Sequence, residues 1–151
     1  MSTPLQDTRV RDVMTPRPSS IYIDAGLDVA IETMRTKDIR RLPVLGRADQ
    51  LKGMITLEDA RRNMPRGVPH SNAGEEAEAK IPAVRKAMSR GLVTVGAADS
   101  LGKAAQLMVH HKIGALPVMD KGEMIGIITE SDIFKYLARD LPGLQSDEDF
   151  S

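Results

Sequence analysis

Apolar residues recur along this chain in two alternating spacings. Leu27, Ala30, Ile31 and Met34 fall at i, i+3, i+4 and i+7, and Leu101, Ala104, Ala105 and Met108 repeat that spacing, so each set predicts one apolar stripe on a helix. After each stripe come two short aliphatic runs divided by a polar or glycine turn: Leu42–Leu45 then Met54–Thr56, and Leu116–Met119 then Met124–Thr129. Such runs predict two adjacent antiparallel strands. A second helix is predicted from Thr56 and from Thr129, where Thr-x-x-Asp precedes helix-forming residues. Ile133, Phe134 and Leu137 supply the apolar face of the later copy, whereas the earlier copy is poorer and stops at Asn63-Met64-Pro65.

The two halves are one pattern written twice. An offset of 74 residues carries Val10-x-x-x-Met14 onto Val84-x-x-x-Met88, Ile21 onto Val95, Leu27 onto Leu101, Met34 onto Met108, Ile39 onto Ile113 and Leu42-Pro43-Val44 onto Leu116-Pro117-Val118. With one residue fewer in the following turn, an offset of 73 carries Gly53-Met54-Ile55-Thr56 onto Gly126-Ile127-Ile128-Thr129 and Asp59 onto Asp132. Each half reads as strand, helix, strand, strand, helix, an α+β (α/β) arrangement. Two such units can cover each other's exposed sheet face, which is the physical reason for the duplication. The predicted organisation is a first repeat at 1–64 with a leading segment at 1–9, a linker at 65–81, a second repeat at 82–140 and a flexible acidic tail at 141–151. Pro65, Gly67, Pro69, Ser71, Asn72 and Gly74 argue against regular structure in the first part of the linker, and Glu75–Lys80 reads as a solvated helical turn.

Composition narrows the picture. At 151 residues the chain can bury a workable core, but neither half is expected to fold alone. Trp is absent and only two Phe and two Tyr occur, so the core must be aliphatic, with the nine Met filling gaps. The 21 basic and 21 acidic residues cancel, which removes the broad field that draws a protein to nucleic acid or anionic lipid. The absence of cysteine excludes disulfides, thiol catalysis and thiolate metal sites. With no export signal at the start and no apolar run approaching the ~20 residues of a membrane span, a cytoplasmic, membrane-free location is expected.

Val-x-x-x-Met-[Ser/Thr] at the start of each repeat, Leu-Pro-Val on the middle strand and Gly-x-Ile-Thr-x-x-Asp at the exit together resemble the cystathionine-β-synthase (CBS) domain family, as a tandem pair over about residues 10–64 and 82–138. The resemblance implies a pseudo-twofold pair with two clefts at its interface, where family members commonly hold AMP, ADP, ATP or S-adenosylmethionine. It also implies a homodimer, since family members often pair again into flat dimers of four units. Residue by residue, Asp59 and Asp132 match the acid that accepts the ribose hydroxyls, and Thr56 and Thr129 match the hydroxyl near ribose or phosphate. The chemistry suits them, because a carboxylate can take two vicinal hydroxyls and a helix N-terminus offers free N–H groups to a phosphate. The same Thr and Asp also read as a helix-capping pair, and both roles can hold together. Ser20 and Thr94 match the start of the adenine pocket, with Ile21 and Val95 against the purine face. Arg40 and Arg41 match basic residues that face phosphates, where the second copy has Gly114 and Ala115. Alternatively they are a surface pair answering Asp38 or Glu58.

No motif supports catalysis: Gly-x-Ser-x-Gly, a Walker-type loop and Gly-x-Gly-x-x-Gly are all missing, so no catalytic residue and no enzyme activity is expected. His110 and His111 are adjacent and share no helical face, so a helix C-terminal role suits them better than a metal, and His70 stands alone in the linker. No metal site and no covalent cofactor is expected. The functional expectation is a sensor that binds an adenine nucleotide in the inter-repeat clefts and signals by conformational change to a separate effector protein or a second copy. The alternative is a ligand-independent dimerisation platform.

Overall fold

The structure is a computed structural model in which residues 4–66, 81–139 and 141 are described. The elements run α1 (Pro4–Asp7), β1 (Thr15–Pro16), β2 (Ile21–Tyr22), α2 (Leu27–Thr36), β3 (Arg41–Leu45), β4 (Leu51–Thr56), α3 (Leu57–Asn63), β5 (Val95–Gly96), α4 (Leu101–His111), β6 (Ala115–Asp120), β7 (Glu123–Thr129) and α5 (Glu130–Ala138). Mixed α+β architecture with two sheets matches the sequence expectation. The reading of His70 and Glu75–Lys80, and of the tail from 142 onward, lies outside the described residues.

The chain divides into two compact units, Ser19–Leu92 and Met1–Pro18 with Val93–Ser151. In the first, β2 pairs parallel with β3, and β3 antiparallel with β4, placing Leu42 opposite Ile55. Leu27, Ala30 and Met34 on α2 are fully buried, joining Leu42, Val44, Ile55 and Val84 in one aliphatic core. In the second, the order is β1-β7-β6-β5, and Leu101, Ala104 and Met108 on α4 pack with Val10, Leu116, Val118 and Ile128. The helical stripes therefore face the cores as their spacing requires. Pro43 sits mid-sheet without losing a ladder bond to β4, because its partner Met54 turns both backbone groups away from β3 onto Ser89 (3.0 and 2.8 Å).

The compact units and the sequence repeats are different partitions of the chain. Val10–Met14 opens the first repeat but completes the second unit: Val10 is fully buried there, its N–H donates to the Asp99 carbonyl (2.8 Å), and Arg11 N–H donates to Ala97 (3.1 Å). Val84–Met88 opens the second repeat but completes the first unit, with Val84 N–H on Ala25 (2.7 Å) and Arg85 N–H on Ile23 (3.1 Å). The glycine of each Gly-x-Ile-Thr motif follows from this exchange. A Cβ on Gly126 would lie 2.5 Å from Met14 Sδ and 2.9 Å from the Thr15 carbonyl oxygen, and one on Gly53 would collide with the Ser89 carbonyl. Only hydrogen leaves room for the crossing backbone.

One expectation is corrected. On α5, Ile133 is buried, but Phe134 and Leu137 are 63% and 48% exposed. The core meets the stripe of Ile133 and Tyr136, three residues apart, and Phe134 and Leu137, also three apart, form the next stripe around the helix, turned away from it.

Asp99 ties the start of α4 to this arrangement. Its carboxyl is held below the usual carboxylate range, foremost by the Gly96 backbone N–H (2.7 Å) and next by Lys103. A depressed folded-state value means stabilisation that is present above the unfolded value near 3.8 and lost as pH falls through the folded one. The unfolding free-energy gap between wild type and Asp99→Ala, measured by urea denaturation, is therefore expected to hold steady above about pH 5 and to shrink in more acid solution.

Candidate functional site

Each repeat carries its candidate residues to the junction where the second long strand hands over to a helix. In the first unit Arg41 lies opposite Thr56 across β3 and β4, and the Arg40 carbonyl accepts from the N–H of Leu57, the first residue of α3 (2.8 Å). Thr56 caps α3 by accepting from Asp59 N–H (3.0 Å). Arg40, Arg41, Thr56 and Asp59 are thus gathered at one strand-to-helix corner. The second unit reproduces the corner with Ala115 opposite Thr129 and Glu130 N–H on the Gly114 carbonyl (3.0 Å). Small residues replace the two arginines there, so the corners differ chiefly by two positive charges.

The acids are held differently. Asp132 closes a capping box: its Oδ2 accepts from Thr129 N–H (2.9 Å) while Thr129 Oγ1 accepts from Asp132 N–H (3.2 Å). Asp59 makes no such return bond; its Oδ1 pairs with Arg62 (3.3 Å), which also reaches Glu58 (3.4 Å). Both aspartates are half-buried, leaving oxygens able to accept further donors. The pairing also bears on the arginines, because Glu58 is taken by Arg62, and among the described residues no ion pair involves Arg40 or Arg41.

Ser20 and Thr94 stand immediately before β2 and β5, Ser20 half-buried and Thr94 exposed. The side chains of Ile21 and Val95 are 6% and 3% exposed and belong to the two cores, which leaves their backbone rather than their side chains for any ligand. His110 and His111 end α4 exposed, and among the described residues no group of three or more His, Asp or Glu gathers to hold a metal. A groove of about 300 Å³ between α4 and α5, lined by Met108, Val109, Ile113 and Phe134, contains none of the predicted residues. Nor does a second concavity beside Tyr22, Arg47 and Asp49.

Two residues escaped the sequence reading. Arg62 could have been found, since it lies three residues after Asp59 on the same helix face. Tyr136 could not, because its hydroxyl partner Thr8 is 128 residues away.

Comparison with known proteins places this geometry. A CBS domain protein of Dictyostelium discoideum is 33% identical over 86% of this chain and 91% of its own length, and hypoxic response protein 1 of Mycobacterium tuberculosis is 29% identical over 86% and 85%. The homoserine O-acetyltransferase of Methanohalophilus mahii is 29% identical over 88% of this chain, which spans only 25% of that enzyme. Among solved structures, hypoxic response protein I with two coordinated zinc ions superimposes with a TM-score of 0.68 at 26% identity, covering 89% of this chain and all of the other. The CBS domain pair of protein MJ0100, in complex with 5′-methylthioadenosine and S-adenosylmethionine, does so with 0.71 at 22% identity, covering 87% and 97%. No helix among the described residues is long and apolar enough to cross a membrane. The CBS domain family model matches residues 10–66 and 84–139, and with both repeats accounted for, the chain belongs to the CBS domain family as a tandem pair.

Proposed function

We propose that this chain is a non-catalytic regulatory module that binds an adenine nucleotide at its two strand-to-helix corners and passes occupancy to a separate protein or a second copy. The observation that carries this reading is the duplicated Thr-x-x-Asp corner, in which a half-buried carboxylate stands beside a helix N-terminus. Asp132 and Asp59 take the ribose hydroxyls, and Thr129 and Thr56 lie beside ribose or phosphate. Ser20, Ile21, Thr94 and Val95 border the adenine, the two buried aliphatic residues through their backbone. Arg40 and Arg41 face the phosphates, so a phosphate-rich ligand prefers the first corner. A protein of the same fold holds methylthioadenosine and S-adenosylmethionine, which makes adenosyl compounds the first to try. A cytoplasmic setting suits a chain without cysteine.

Calorimetric titration with AMP, ADP, ATP and S-adenosylmethionine tests the reading. Binding of one of them, weakened by Asp59→Ala or Asp132→Ala, is the expected result; a folded protein that binds none of the four ends it. A second reading, a ligand-independent homodimer platform, is favoured by Val109 and Phe134, which are 79% and 63% exposed on the groove between α4 and α5, and by Leu137, 48% exposed one turn beyond Phe134. Sedimentation of ligand-free protein that stays dimeric and is indifferent to nucleotides would favour it.

A further inference from the structure

The second unit is closed by a strap. Residues 5–16 run along it with Val10 fully buried, Leu5, Val13 and Met14 packed against the same core, and Thr15 and Pro16 paired with Ile127 and Gly126 of β7. Further backbone bonds hold it: Val10 to Asp99, Arg11 to Ala97, Leu101 N–H to the Thr8 carbonyl (3.0 Å), and, just past its end, Arg17 N–H to the Ile125 carbonyl (3.2 Å). The strand pairing spans only two residues, both exposed, on the edge of the sheet.

The strap also meets α5 through a hydroxyl contact between Thr8 and Tyr136. Tyr136 is half-buried against the core, with the Arg139 guanidinium 3.6 Å over its ring. Its position is informative, because Asp132 and Tyr136 are i and i+4 on α5 and so share one face, a single turn apart. The first repeat has no counterpart: the matching residue is Asn63, whose side chain donates to the Asp59 carbonyl. Two of the elements that hold the strap, β7 and α5, meet between Thr129 and Asp132, while the turn into the start of α4 supplies the bonds at Ala97, Asp99 and Leu101.

We propose that the strap is the ligand-responsive element of this unit, latched by Tyr136 and biased by occupancy at Asp132. The proposal rests on the nucleotide reading above. A ribose whose two vicinal hydroxyls take both Asp132 oxygens shares Oδ2 with Thr129 N–H, and that shared acceptor couples the last residue of β7 and the first turn of α5 to occupancy. The Thr8–Tyr136 contact lies on the same face of α5, and the β1–β7 pairing lies two residues upstream. Linkage then makes the effect mutual: whatever tightening the ligand gives the strap, the strap returns to the ligand by the same factor.

Hydrogen exchange of the full chain with and without AMP, paired with calorimetry, is the test. AMP is expected to slow exchange at Val10, Arg11 and Arg17 by about fivefold or more, the lower end of ordinary coupling. Tyr136→Phe, which keeps the ring and removes the hydroxyl, is expected to leave the fold intact and abolish most of that slowing. Val10→Ala, which loosens the strap from its core, is expected to weaken AMP by a similar factor. AMP binding with unchanged exchange at residues 8–17, or full slowing in Tyr136→Phe, overturns the strap proposal while sparing the nucleotide reading. If AMP does not bind, the same exchange is read with whichever of ADP, ATP and S-adenosylmethionine does, and binding by none of the four overturns both.

Discussion

Gly126→Val is expected to open the second unit while leaving the first folded. The added Cβ meets Met14 Sδ at 2.5 Å and the Thr15 carbonyl at 2.9 Å. A methionine side chain can swing aside, but a backbone oxygen in a strand pair cannot, so β1 must leave β7 or the sheet must bend. Overpacking of this kind costs about 1–3 kcal/mol, and that loss should appear as a lower urea midpoint. The distribution of the damage is the more telling readout. Amides at Val10, Arg11 and Ile127 should lose protection from hydrogen exchange, while those of β3 and β4 keep it. Gly53→Val should do the reverse, striking Met54 and Ser89. Equal loss in both units, or none, would contradict the exchange of opening segments between repeats.

Asp132→Ala is expected to weaken nucleotide binding by about ten- to more than a hundredfold, the equivalent of ~1.5–3 kcal/mol for hydrogen bonds to a charged group. The variant also removes the bond from Thr129 N–H to the Asp132 carboxylate, half of the capping box, which by itself costs about 0.5–1.5 kcal/mol of stability. Asp132→Asn separates the two effects. Its amide oxygen can still accept from Thr129 N–H and keep the cap, but it lacks the second acceptor oxygen that two vicinal hydroxyls need. Weakened binding in both variants, with near-normal stability only in the asparagine, supports the ribose role. Unchanged binding in both would reduce Asp132 to a helix cap.

Much of this was legible in the chain. The spacing of Leu27, Ala30 and Met34 and of Leu101, Ala104 and Met108 identified helices and their buried faces, because periodicity reports directly on which side meets the core. Thr-x-x-Asp located both helix starts, since the capping bonds join residues three apart. Arg62 on Asp59 is equally local. Phe134 and Leu137 misled, because an apolar residue marks a face without showing whether anything covers it. Ile21 and Val95 looked available to a ligand, yet each lies in a core completed by residues more than thirty positions away, Ile55 and Val84 for the one and Val10 and Ile128 for the other.

By itself the sequence determined that one β-α-β-β-α pattern occurs twice, that its cores are aliphatic, and that each copy ends in a threonine-capped helix carrying an aspartate. Only the tertiary structure decided which Val-x-x-x-Met segment serves which core, and it joined each to the unit built from the opposite repeat. It likewise decided that Gly53 and Gly126 must stay bare, and that Thr8 meets Tyr136. The division has a simple cause: periodicity and capping act over a few residues and leave their mark on neighbouring letters. Two repeats of one apolar pattern, by contrast, offer each opening segment similar docking sites, and the choice between them is made by chain connectivity and backbone clearance in space.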